Sequence, residues 1–187
     1  MQKGEHGEAE LLYVHTLQLR KQVLGEHCVD TLKTAVKLGR LYTLMNRFKS
    51  AEELLVRALE GTKVALGNQH PDTAAAMVTL GSLYERMQQF KKAHVLLHDA
   101  LSALERTLGK DHPDTLSALS NLGHNYEDMG EFAEAKKCYQ HAYDRRRHTL
   151  GANHPRTLSS LRALDHLGAS HARTTRSSTR LWTEPGE

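Results

Sequence analysis

Apolar and small residues recur along this chain at i, i+3, i+4, i+7 and i+8. They do so at Ala51, Leu54, Leu55, Ala58 and Leu59, at Ala93, Leu96, Leu97, Ala100 and Leu101, and at Ala135, Cys138, Tyr139, Ala142 and Tyr143. That spacing puts one apolar stripe on an α-helix. Each of these stretches follows a second periodic stretch that opens close to a proline or its substitute and carries a Leu-Gly pair near its middle: Leu38-Gly39, Leu80-Gly81 and Leu122-Gly123. The stretch from about Pro113 to Met129, closed around Gly130, reads as a helix with proline in its first turn. Paired with the stretch that follows, it predicts a helical hairpin.

The hairpin repeats at a fixed period. An eight-residue segment, Leu-Gly-x-x-His-Pro-Asp-Thr, starts at Leu66 and Leu108, with one substitution at Leu150 and in a worn form at Leu24, so all four starts lie 42 residues apart. A period of this size is the mark of an array in which each unit is one supersecondary element that buries its apolar face only against a neighbour. The period divides the chain into a lone second helix at 1–23, full repeats at 24–65, 66–107 and 108–149, and a first helix at 150–168, where the pattern fails with Asp165 in the glycine place and Gly168 in the tyrosine place. Residues 169–187 turn to Ser, Thr and Arg and read as a disordered tail. Eight helices are expected. The first has no hairpin partner, so its apolar stripe should be partly bare, as expected either of a piece of a longer array or of a surface that pairs with another chain.

Leu-Gly-x-x-Tyr followed by Gly-x-Phe-x-x-Ala and a later alanine resembles the tetratricopeptide repeat, and the long unit with its His-Pro-Asp-Thr linker is similar to the variant of kinesin light chain-like and nephrocystin-like proteins. The resemblance covers residues 1 to about 168. It implies an all-α fold, a right-handed superhelical solenoid of antiparallel helix hairpins. It also implies that first helices line a concave face, with Lys33, Val36, Lys37, Arg40 and Thr43 in the first full repeat, Ala75, Val78, Thr79, Ser82 and Glu85 in the second, and Ser117, Ser120, Asn121, His124, Glu127 and Asp128 in the third. The place before the Leu-Gly pair is often asparagine in this family, where one amide can both donate to and accept from an extended peptide. Asn121 matches; Lys37, Thr79 and Ala163 stand in the equivalent places. Charge on these faces is uneven, positive at Lys33, Lys37 and Arg40 and negative at Glu127 and Asp128. A peptide partner with an acidic segment is therefore expected over the first repeat.

Composition narrows the function classes. With 39% hydrophobic and 25% charged residues and no long apolar run, the chain reads as a cytoplasmic protein without a membrane span. Cys28 and Cys138 occupy unrelated places in the repeat, which argues against a structural disulfide. A net charge of +3 gives no ground for a nucleic-acid partner, and Arg145 to Arg147 close a helix, where cations complement the dipole. His70, His112 and His154 recur with the period and so lie too far apart to share one metal ion. His94 and His98, at i and i+4, lack further ligands. No cofactor, metal or catalytic motif is legible, and the reading is a non-enzymatic scaffold that takes a peptide or helix of a partner protein. The second reading is a structural or sensor array of a larger protein, such as a nucleotide-switched receptor, without a peptide site of its own.

Overall fold

The computed structural model describes residues 2–180, with side chains from residue 6 to residue 168. Among these residues there are eight helices and no strand: α1 (Gln2–Leu24), α2 (Val29–Leu44), α3 (Phe48–Leu66), α4 (Pro71–Arg86), α5 (Phe90–Thr107), α6 (Pro113–Asp128), α7 (Phe132–Leu150) and α8 (Pro155–Arg180). They pack in order as antiparallel pairs. The chain divides into two compact units after Ala118. The first holds α1 to α5 and the start of α6; the second holds the rest of α6 with α7 and α8.

The Leu-Gly pair is explained by close approach within each hairpin. A Cβ at Gly39 would lie 2.5 Å from Cγ of Leu55, and one at Gly123 would lie 2.7 Å from Cε1 of Tyr139. No real Cβ tolerates such contacts, so hydrogen is what lets the two helices meet. Leu55, Leu97 and Tyr139 are buried beneath these glycines, and the alanines that mark the second helices (Ala51, Ala58, Ala93, Ala100, Ala135, Ala142) are at most 1% exposed. In the first unit a tyrosine closes each junction between hairpins. Tyr42 lies against Glu10, whose carboxylate pairs with Arg47, while the Arg47 guanidinium sits 4.3 Å from the Tyr42 ring centre. One period later Tyr84 lies against Glu52, with Lys92 Nζ 5.1 Å from its ring centre. Burial, followed by these carboxylates, pushes both phenols above their ordinary range.

The linker histidine is a helix cap. Nδ1 of His70 accepts from the backbone N–H of Asp72 at 3.1 Å, and His112 and His154 do the same for Asp114 and Arg156 at 3.2 Å. The linker threonine ties back to the glycine, with Thr73 Oγ1 donating to the Gly67 carbonyl at 2.9 Å and Thr115 Oγ1 to that of Gly109 at 2.8 Å. Gly67 and Gly109 hold φ of +85° and +86°, a region that favours glycine. Cys28 stands in the capping place of α2 and makes no such bond. Replacing His70 by alanine is therefore expected to cost about 1 kcal/mol of stability, whereas Cys28→Ala costs little at the cap; paired urea titrations followed by circular dichroism check the difference.

The far end departs from the expected boundary. α8 continues to Arg180, through the stretch from 169 onward where the composition suggested a disordered tail. Gly168 lies in the helix without a positive φ, no proline interrupts the chain before Pro185, and Ser, Thr and Arg each cost only tenths of a kcal/mol in a helix. Residues 181–187 of the expected tail lie outside the described residues. At the other end Ala9, Tyr13 and Leu17 of the α1 stripe pack into a core cluster with Ala35, Leu38 and Ala58, and only Leu12 of the stripe is bare, while Leu19 and Val23 outside it are 47% and 78% exposed.

Candidate functional site

In the first unit α2 and α4, the first helices of consecutive hairpins, touch each other. Lys33, Val36, Lys37 and Arg40 project from α2 at i, i+3, i+4 and i+7, and together with Asp72, Ala75 and Thr79 of α4 and Thr62 of α3 they line a hollow of about 360 Å³. Seven of these eight residues come from the two first helices. Val78 and Ser82, also on α4, are half-buried and outside the lining. Thr43 is not a groove residue: it is 5% exposed, and its hydroxyl donates to the Gly39 carbonyl at 2.9 Å.

The charges of the hollow are not equivalent. Lys33 Nζ pairs with Asp72 Oδ2 at 2.9 Å, which neutralises one of the three cations. Lys37 and Arg40 are exposed and form no ion pair among the described residues. Thr79 spends its hydroxyl on the Ala75 carbonyl at 2.8 Å. The hollow therefore offers two uncompensated cations above an apolar floor of Val36 and Ala75, a surface suited to a carboxylate on a short aliphatic stem.

The remaining expected residues sit elsewhere. Ser117 bonds the Pro113 carbonyl at 2.8 Å. In the second unit, Asn121 is half-buried and makes no side-chain hydrogen bond among the described residues, which leaves its amide available. Glu127 faces inward: Tyr139 donates its hydroxyl to Oε2 at 3.0 Å, and His166 lies 3.1 Å from Oε1. The same Tyr139 oxygen is 2.7 Å from Nδ1 of the exposed His124. Burial above all, then the Glu127 charge, drives the Tyr139 phenol far above its ordinary range. Of the expected negative pair only Asp128 stays exposed, and burial followed by the Glu127 charge holds its carboxyl above the ordinary carboxylate range.

Ser120 has a role that its place in the repeat did not reveal. It accepts from Arg146 at 3.1 Å, and Ser160 accepts from the same nitrogen at 2.6 Å. Arg146 is 6% exposed, so the three arginines that read as a helix-closing cluster are separated by the fold, one of them inside. Burial first, and Arg156 second, lowers its pKa. Three periods earlier Arg20 makes the corresponding bond, to Thr34 Oγ1 at 2.7 Å. The recurrence is a sequence signal: Arg20 and Arg146 lie three repeats apart, each followed 14 residues later by a hydroxyl.

Among the described residues no group of three His, Cys, Asp or Glu could hold a metal ion, Cys28 and Cys138 are free thiols, and no helix is long and apolar enough to cross a membrane. Burial, followed by Glu134, pushes the Cys138 thiol up to about 11.

Two family profiles, each described as tetratricopeptide repeat, match this sequence, one at residues 1–63, 95–147 and 114–164 and the other at 73–114. The chain belongs to the tetratricopeptide-repeat family. A crystal structure described as a kinesin light chain of Podosopora anserina with nearly identical repeats superposes with a TM-score of 0.76 at 23% identity, over 96% of this chain and 85% of that one. BtubC (BKLC) from P. vanneervenii gives 0.71 at 20% identity, over 100% and 78%. MamA gives 0.53 at 20% identity, over 94% of each. At these identities the likeness is one of fold. No curated protein matches the sequence. Tetratricopeptide repeats generally mediate protein–protein interactions, and the fold is typically non-catalytic.

Proposed function

We propose that this protein is a non-enzymatic interaction scaffold of the cytoplasm, of the kinesin light chain-like adaptor type, that receives an acidic peptide or helix of a partner protein over the hollow between α2 and α4. The observation that carries the reading is the pair Lys37 and Arg40, exposed, forming no ion pair among the described residues and set on the rim of a concave, partly apolar surface. Uncompensated cations around a concavity raise the local concentration of anionic ligands and set their direction of approach. In the first unit Val78, Ser82 and Ser117 extend the candidate surface; in the second unit Asn121, with its amide as a backbone-binding group, His124 and Asp128 form a candidate surface of their own, while Ser120 and Glu127 are engaged by Arg146 and Tyr139. A structural array without a peptide site is the second reading, favoured by the exposed Leu12, Leu19 and Val23 of α1, which suit packing against a further helix.

Fluorescence anisotropy with three labelled peptides of equal length, acidic, neutral and basic, tests the proposal. The acidic peptide should bind most tightly, and its affinity should fall as salt is raised. Equal affinities for acidic and basic peptides, or no binding by any, would leave the structural array as the better reading.

A further inference from the structure

A second hollow, of about 490 Å³, opens between α1, α2 and α3, with Leu17, Leu32, Ala35, Leu54 and Ala58 among its lining residues. Its cause is visible in the repeat. The place of Ala35 holds Met77 in the next repeat and Leu119 in the one after, both buried. The neighbouring Leu32 does not compensate, because it leans onto Gly61, where a Cβ would meet its Cδ2 at 2.6 Å. A core place that its sister repeats fill is thus left open here, in a volume typical of small-molecule sites.

Two polar features mark this hollow. Thr31, which also lines it, is 1% exposed, and its hydroxyl, like that of its counterpart Thr157, has no hydrogen-bond partner among the described residues, whereas Thr73 and Thr115 bond the linker glycines. A buried hydroxyl without a partner is costly and suits a ligand that supplies one. On the rim, Lys21 is paired with Glu26 at 2.9 Å and Glu60 with Lys63 at 3.1 Å, while Arg57 forms no ion pair among the described residues. With Lys63 counted beside Glu60, cations exceed carboxylates on this rim by one; Arg57 also acts on the Glu26 carboxylate, and His27 lies on the same rim.

We propose that this hollow binds a small amphipathic monocarboxylate, an aliphatic chain lying over Ala35 and Leu32 with its carboxylate at Arg57 and an oxygen within reach of Thr31. The site is independent of the peptide surface, which lies between α2 and α4 and shares none of its lining residues.

Titration calorimetry of the full chain with octanoate, and with 1-octanol as the uncharged counterpart, tests the assignment. Octanoate should bind one to one and more tightly than octanol, and Arg57→Gln should abolish that preference. Ala35→Met and Ala35→Leu install the residues of the sister repeats; each should raise the melting temperature and weaken octanoate by about tenfold or more, because the added side chain occupies the space of the ligand. Thr31→Val, which keeps the shape and removes the hydroxyl, should weaken octanoate less than either filling variant. Absence of saturable octanoate binding to the parent chain, or binding that survives both fillings unchanged, overturns the proposal. An affinity for octanol equal to that for octanoate overturns the role of Arg57.

Discussion

Arginine in place of Ala100 should lower the free energy of unfolding by on the order of 4 kcal/mol, since overpacking a close-packed core costs about 1–3 kcal/mol and an unpaired buried guanidinium adds several more. Ala100 is fully buried in α5 and repeats as Ala58 and Ala142, which are 1% and 0% exposed. The side chain at this place lies where two helices meet, with no room for a longer stem to reach water. Ser102, two residues on and exposed, serves as the control: Ser102→Arg changes the same charge with at most a few tenths of a kcal/mol of effect. Thermal and urea melts of both variants by circular dichroism decide the matter. Equal melting of the Ala100 variant and its parent would show that the helices pack in a different register.

Reversing both Lys37 and Arg40 to glutamate should weaken an acidic peptide by on the order of 1–3 kcal/mol, about 5- to 150-fold. The same change should flatten the salt dependence of its binding, since the two cations that attract it have become repulsive. Lys33 is a poorer target, because its charge is already met by Asp72 at 2.9 Å. Asn121→Ala is the contrasting variant: if its amide holds peptide backbone, acidic and neutral ligands should both lose about 1 kcal/mol. Anisotropy titrations at two salt concentrations separate these effects. Binding indifferent to both the double reversal and salt would remove the hollow from the mechanism.

The helices were legible in the sequence because the period repeats three times: a Leu-Gly pair, an aromatic residue and two alanines at constant spacing admit one packing solution, and Gly39 and Gly123 meet the side chains that the register demands. Lys33, Lys37 and Arg40 were legible as one face because i, i+4 and i+7 share a face whatever the tertiary structure. Pairing across elements was not. That Lys33 meets Asp72, that Glu127 turns inward to Tyr139 and that Arg146 reaches Ser120 and Ser160 all depend on rotamers and on contacts far apart in the chain. The family resemblance put Thr43 in the groove, but threonine bonds its own helix readily and sits buried there. The linker histidines could be recognised as structural from their period, while the capping bond itself required the backbone geometry of the turn.

The worn linker at residues 24–31 has a consequence for how the chain opens. α2 starts at Val29 after Cys28, without the proline that presets the first turn or the imidazole that holds its amides, and Thr31 lacks the tie to glycine that Thr73 and Thr115 make. Amide protons in the first turn of α2 should therefore exchange with solvent through fraying that costs little, while those of α4 exchange only with larger openings. The weakest seam of the first unit then runs beside the apolar hollow lined by Ala35, so transient release of that turn gives the interior a route to solvent that the later repeats close.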